Sequence, residues 1–269
     1  MEEKRIGGLP LRVSPLLEPV PHCFTTRQGG VSRGIFSSLD LSLGLGDDPD
    51  LVRENYRRVC LALGADPAGL VLTRQVHRDG VRRVTREDWG KGLDRDRDYE
   101  ADGLITDVPG TTLAAFGADC LTLLLYDPVH RAAGAVHAGW RGTALGIAAR
   151  AVEAMAQSYG TDPARLRAAL GPCIGPCCFE TGPEVPEAME TALGLSARPY
   201  SRPLGNGKYK VDLRGLNRLW LERAGVEAGG VDASEECTMC LPRLYWSHRY
   251  TQGKRGIQAA LITLPEVGR

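Results

Sequence analysis

Many short β-rich runs interleaved irregularly with few helices limit the folds open to this chain. Residues 69–75, 104–106, 111–116, 121–126, 132–137, 166–170 and 257–264 are short apolar or β-branched runs and read as strands. Three segments carry a helical stripe instead. Asp48 and Asp50 precede a run in which Leu51, Tyr56, Val59 and Leu63 share a face before Gly64 stops it. Residues 142–160 group Leu145, Ala148, Val152, Met155 and Tyr159, and residues 211–225 form the third helix. Such an order is too irregular for a doubly wound sheet or an eight-fold barrel. It predicts a mixed α/β (α+β) sandwich, a single domain over residues 1–269, with the mixed-charge run Arg82–Asp98 as a solvated loop.

A length of 269 residues with 43% hydrophobic and 25% charged side chains suits one globular core. Lys+Arg and Asp+Glu are both 33, so no net field recruits nucleic acid or an anionic membrane, and a small-molecule partner is expected. The opening MEEKRIGGLPLRVSPLL is too charged and Pro-interrupted for a signal peptide, and no run reaches membrane-spanning length, so the expected location is the cytoplasm. There the eight cysteines are expected reduced, which directs attention to metal binding or catalysis rather than disulfides. Five histidines and no His-X-His pair are too few for a trinuclear copper cluster, which needs roughly ten.

Three residues at the ends of expected strands stand out: His77 in RQVH, Cys120 in GADC and His137 in AVHAGWRG. Singly, each reads as a hydrogen-bonded core histidine or a small buried thiol. Together, two imidazoles and a thiolate supply three ligands of a tetrahedral zinc and leave the fourth position open, the pattern of a catalytic zinc. After His137, the backbone N–H groups of Gly139–Thr143 open a helix and form a candidate anion site, with Arg141 as a cation; a simple strand-to-helix turn is the alternative. A second glycine turn, FTTRQGGVSRG, offers Arg27 with Thr25, Thr26 and Ser32 for phosphate or a sugar hydroxyl, or is a plain hairpin loop. GPCIGPCCFE carries Cys173, Cys177 and Cys178, and ECTMC carries Cys237 and Cys240 at the spacing of half a structural zinc site. No second CxxC exists, which favours packing or turn thiols over a four-cysteine zinc. Glu180 is a candidate to orient a ligand histidine, or a surface carboxylate. Asp119 is a candidate acid/base, although neighbours on a strand face opposite ways.

The series FTTRQGGVS, RENYRR, TRQVH, ADGLIT, GADCLTLLLYDP, AVHAGWRGT, LGPCIGPCCFE, VDLRGLN, ECTMC, SHRY and GKRGIQAALI, in order from residue 22 to 264, resembles the laccase-domain family of purine nucleoside phosphorylases, long labelled polyphenol oxidases. The resemblance implies a four-layer α/β/β/α fold with mixed sheets and one zinc per chain on His77, Cys120 and His137, which are then also the catalytic residues. It implies phosphorolysis of adenosine, inosine, guanosine and S-methyl-5′-thioadenosine, plus adenosine deamination, with purine nucleosides and phosphate as the partners. Many relatives read Asn-Arg in the helix after the first glycine turn. Here Asn55-Tyr56-Arg57 stands in its place, so the substrate-binding assignment falls on Asn55 with Arg57 or Arg27, beside Arg141. The alternatives are a copper-dependent polyphenol oxidase, a peptidoglycan-precursor-editing amidohydrolase, and a zinc-stabilised binding module without activity.

Overall fold

The computed structural model describes residues 1–266. In chain order come β1 (Glu2–Ile6), β2 (Leu9–Val13), β3 (His22–Thr25) and helix α1 (Pro49–Ala62). Next are β4 (Leu70–Leu72), β5 (Val81–Arg83), β6 (Gly103–Thr106), β7 (Thr112–Gly117), β8 (Leu121–Asp127) and β9 (Ala132–Ala138). Helices α2 (Trp140–Ala144) and α3 (Ile147–Tyr159) and strands β10 (Arg167–Leu170) and β11 (Glu180–Thr181) follow. The remainder holds α4 (Glu184–Leu193), β12 (Ser201–Pro203), β13 (Tyr209–Val211), α5 (Leu213–Arg223), β14 (Val231–Ala233), α6 (His248–Thr251) and β15 (Gln258–Thr263).

Two six-stranded mixed sheets form the centre, β1-β2-β3-β15-β7-β4 and β14-β10-β8-β9-β6-β5, with a small β11-β13-β12 sheet beside them. Their central strands, such as β7, β9 and β15, are buried on both faces because both faces are covered, while the edge strands β1 and β5 are charged and partly exposed. Phe24, Leu113 and Ile262 of the first sheet meet Leu104, Leu124 and Ala135 of the second in a common core. On its outer face the first sheet takes Val52, Tyr56 and Val59 of α1. The second takes Ile147, Val152 and Met155 of α3 with Leu221 of α5. This is the four-layer α/β/β/α arrangement, and each large side chain so buried contributes about 1.5–3 kcal/mol. No helix among the described residues is long and apolar enough to cross a membrane.

The pairing of the second sheet decides where functional groups can meet. Strand β9 runs antiparallel to both β8 and β6, and β5 runs parallel to β6. The C-terminal end of β9 therefore lies at the same sheet edge as the N-terminal ends of β8, β6 and β5.

All seven expected strands are found. The third helix starts two residues later than expected, at Leu213, because Asp212 caps it with bonds from Arg214 N and Gly215 N, and Val211 belongs to β13. The expected solvated loop is partly structured: it contributes to β5, and Lys91 is buried against Asp88, which also accepts from Arg82. The short strands β1, β2 and β3 carry no readable strand signal, because β1 is mostly charged, β2 is interrupted by Pro10 and β3 spans only four residues.

Residues 142–160 are not one helix. The chain breaks at Gly146, whose φ is +79°, and the Thr143 carbonyl accepts both Gly146 N at 3.0 Å and the Trp220 indole at 2.7 Å. A Cβ on Gly146 would lie 3.3 Å from the Trp220 ring. Gly146→Ala should therefore cost about 1–2 kcal/mol from the left-handed backbone alone, read as a lower midpoint in denaturant unfolding; an unchanged midpoint would mean that the break is not imposed by the fold.

Candidate metal centre and its cavity

His137 sits near the end of β9, opposite Thr122 of β8, so Cys120, just before β8, and Gly139, just after β9, face each other at the sheet edge. His77 reaches the same edge from the loop ahead of β5. One ligand atom from each of His77, Cys120 and His137 lies within 4.8 Å of the others, and the two imidazoles meet edge to face with centroids 4.8 Å apart. His137 is buried, Cys120 half-buried and His77 exposed.

Asp102, fully buried just before β6, holds this cluster together. Its carboxylate accepts the backbone N–H groups of Val76, His77 and Arg78, each at 3.0 Å, and the Nδ1 of His137 at 2.8 Å. Three successive N–H groups can converge on one anion only if the chain curls into a nest, and His77 accordingly has φ of +58°. Burial pushes the Asp102 carboxyl up, but the bonds from His137, Arg78 and Val76 outweigh it and hold the group below the usual carboxylate range. For His137, burial pulls the imidazole down, while the bonds to Asp102 and Cys120 raise it to about 9. With Nδ1 committed to Asp102, Nε2 is the nitrogen left for a metal.

Gly139 forms the floor. A Cβ there would lie 2.8 Å from His77 Nδ1 and 3.2 Å from Cys120 Sγ, so only glycine leaves the space between the donors open. Two imidazoles, a thiol and an open face fit a three-ligand catalytic zinc.

The triad opens into a cavity of about 350 Å³. Trp140, Ile174, Phe179 and Leu213 give it apolar walls, while Asp119, His248, Arg249 and Arg255 supply its polar groups. Arg255 is notable for what it lacks. Its Nη1 donates to the Gly256 carbonyl at 3.1 Å, its buried Nε has no partner, and no carboxylate among the described residues pairs with it. Burial lowers its pKa, opposed by Asp119 and Cys120. A half-buried guanidinium with free donors facing a cavity is a candidate anion contact.

The other residues singled out from the sequence are placed differently. Arg141 lines a neighbouring depression with His77 and Trp140, its guanidinium 4.3 Å over the Trp140 ring. Arg27 does not share that pocket: it stacks 3.9 Å over Trp246 and donates to the carbonyls of Pro242 and Ser37. Asn55 is buried, donating to Ser32 and the Asp40 carbonyl and accepting from Val31 N, so it fixes the glycine turn from inside. Arg57 is exposed and pairs with Glu54 on its own helix. Glu180 lies at the surface 3.8 Å from Lys210, and Asp102 instead orients the histidine. Asp119 faces the cavity beside Cys120 because it lies in a turn with φ of +88°, where strand alternation does not hold. Its oxygens accept from Thr238 and Arg249 N, each at 2.6 Å. The anion site expected at Gly139–Thr143 loses its long dipole, since α2 has only five residues.

Asp102, His248, Arg249 and Arg255 were not singled out, although they stand in the motifs ADGLIT, SHRY and GKRGIQ. An aspartate immediately before a strand is a readable signal; a pairing across 35 residues, from Asp102 to His137, is not.

A sandwich of this kind with a His/Cys/His cluster at one sheet edge defines a class, and the comparisons specify it. A family model described as "Multi-copper polyphenol oxidoreductase laccase" matches residues 21–265. The chain is 37% identical over 243 residues to purine nucleoside phosphorylase YlmD of Geobacillus stearothermophilus, covering 88% of each. It is 40% identical over 258 residues to a purine nucleoside phosphorylase of Deinococcus radiodurans, covering 96% of this chain and 94% of that one. The crystal structure of YlmD from Geobacillus stearothermophilus superposes with a TM-score of 0.92 at 34% identity, covering 99% and 98% of the two chains. The chain belongs to this laccase-like family.

If Asp102 orients the site, Asp102→Asn should weaken metal binding by the triad about ten- to a hundred-fold, measured with added zinc by competition with a chromophoric chelator. Unchanged affinity would reduce Asp102 to a loop fastener.

Proposed function

We propose that this chain is a cytoplasmic, zinc-dependent purine nucleoside phosphorylase acting on adenosine, inosine, guanosine and S-methyl-5′-thioadenosine, and that it also deaminates adenosine. The observation that carries the reading is the open His77/Cys120/His137 donor set facing a cavity with apolar walls and an Arg255 whose Nε has no hydrogen-bond partner and which no carboxylate among the described residues pairs with. The names of the relatives, purine nucleoside phosphorylases in two bacterial genera, support it.

His77, Cys120 and His137 would hold the zinc. When bound there, zinc would supply Lewis-acid polarisation and an activated water, chemistry suited to attack at C6 of adenine. The chain's own groups account for the rest. Trp140 and Phe179 offer flat apolar surfaces for a purine. Arg255, with Arg249 beside it, fits a phosphate held against ribose C1′, and its charge offsets negative charge developing as the base departs. Asp119 is a fixed proton acceptor next to Cys120, with its orientation set by Thr238 and Arg249. Asp102 is a positioning residue acting through His137.

One observation favours a second reading: the copper oxidase description of the matching family, since imidazole and thiolate also suit copper. Metal analysis with oxygen consumption on phenols separates the two.

The phosphate assignment predicts an asymmetry within one enzyme. Arg255→Ala should lower inosine phosphorolysis by about ten- to a hundred-fold, the worth of a charge-assisted contact of roughly 1.5–3 kcal/mol. Adenosine deamination without phosphate should fall far less. Steady-state rates for both reactions check this, and equal losses would remove Arg255 from phosphate binding.

A further inference from the structure

A second set of donors lies outside the triad. The sulfurs of Cys177, Cys178, Cys237 and Cys240 all fall within 4.8 Å of one another. Cys240 Sγ is 3.4 Å from that of Cys178 and 3.7 Å from that of Cys177. In a tetrahedral zinc–thiolate site with bonds of about 2.3 Å, neighbouring sulfurs stand roughly 3.8 Å apart. A disulfide would need about 2.0 Å and would satisfy only two of the four.

The backbone is built around this cluster. Residues 173 and 237 pair in an isolated parallel bridge, and Thr238 N donates to the Cys173 carbonyl, which lays the two cysteine loops side by side. Cys178 N and Phe179 N both donate to the Gly175 carbonyl, so Cys177 and Cys178 sit in a tight turn. On a strand, adjacent side chains would point to opposite faces; a turn lets both reach one point. Gly175 N donates to Cys237 Sγ at 3.2 Å, and a Cβ on Gly175 would lie 3.2 Å from Cys177 Sγ. An N–H aimed at sulfur is the contact that orients and stabilises a metal-bound thiolate.

We propose that Cys177, Cys178, Cys237 and Cys240 bind a second, structural metal ion of the zinc class. Four soft ligands leave no position open for substrate. On binding, each ligating thiol releases its proton to solvent. The ion clamps the loop carrying Ile174 and Phe179, which line the triad cavity, to the loop carrying Thr238, which orients Asp119. Cys173 stays outside the set, near Arg214.

The test uses the full chain, purified under reducing conditions and loaded with zinc. Cys120→Ala should retain one zinc equivalent per chain after removal of loosely bound metal, with X-ray absorption reporting four sulfur neighbours. His77→Ala, altered at an exposed position, repeats the measurement should Cys120→Ala fold poorly. Cys240→Ser should lose the four-sulfur signal, as should Cys178→Ser. A four-sulfur zinc in Cys120→Ala supports the proposal whether or not the triad itself binds metal, so the two readings fail separately. A folded Cys120→Ala or His77→Ala chain without zinc, a nitrogen- or oxygen-rich shell in it, or a Cys178–Cys240 disulfide found by mass spectrometry in the reduced wild-type protein would overturn it.

Discussion

The architecture of the site depends on one buried carboxylate. Asp102 has no solvent access, and a carboxylate removed from water is tolerated only when its lone pairs are filled. Three backbone N–H groups and one imidazole fill them. The same four bonds curl the loop at His77, bring it to the sheet edge and set which nitrogen His137 presents outward. Loss of the carboxylate would leave these donors unpaired at the one place where three chain segments meet.

Around this anchor, topology supplies the rest. Because β9 runs antiparallel to its neighbours, one sheet edge collects the end of one strand and the beginnings of three others, so residues distant in sequence arrive together without long loops. Tight turns then aim the side chains: Asp119 and His77 both adopt left-handed backbone, which is costly for residues with a Cβ and characteristic of sites where geometry outranks local preference. Two glycines serve as floors, Gly139 under the triad and Gly175 beside the four sulfurs. The walls between the two clusters are shared, so the cavity is bordered by one donor set that faces it and another that holds its loops from behind.

What the sequence disclosed follows from the range of the interactions involved. Strands β6 to β10 and β15 were legible because they are buried on both faces and read as continuous apolar runs. Helix α1 was legible from its Asp48 cap and apolar stripe. The break at Gly146 was not, because it depends on Trp220, a residue 74 positions away. His77, Cys120 and His137 could be selected by donor chemistry and strand-end position, whereas Arg27 reads as a ligand contact because a glycine-rich turn with polar side chains looks the same whether it faces a cavity or folds back on itself, and Asn55, assigned through the family resemblance, is a buried side chain of α1 that holds that turn. Asp102 and Arg255 are the reverse case: ordinary letters whose character comes from burial, one saturated with partners and the other short of them.

The central claim is that the triad and its cavity release a purine base by phosphate attack. It is tested most directly by following inosine with wild-type protein, metal-loaded or metal-depleted, in the presence and absence of phosphate. The account predicts hypoxanthine and ribose 1-phosphate in equal amounts only when both metal and phosphate are present. Free ribose formed at the same rate without phosphate, or no base release by the loaded enzyme, would contradict it.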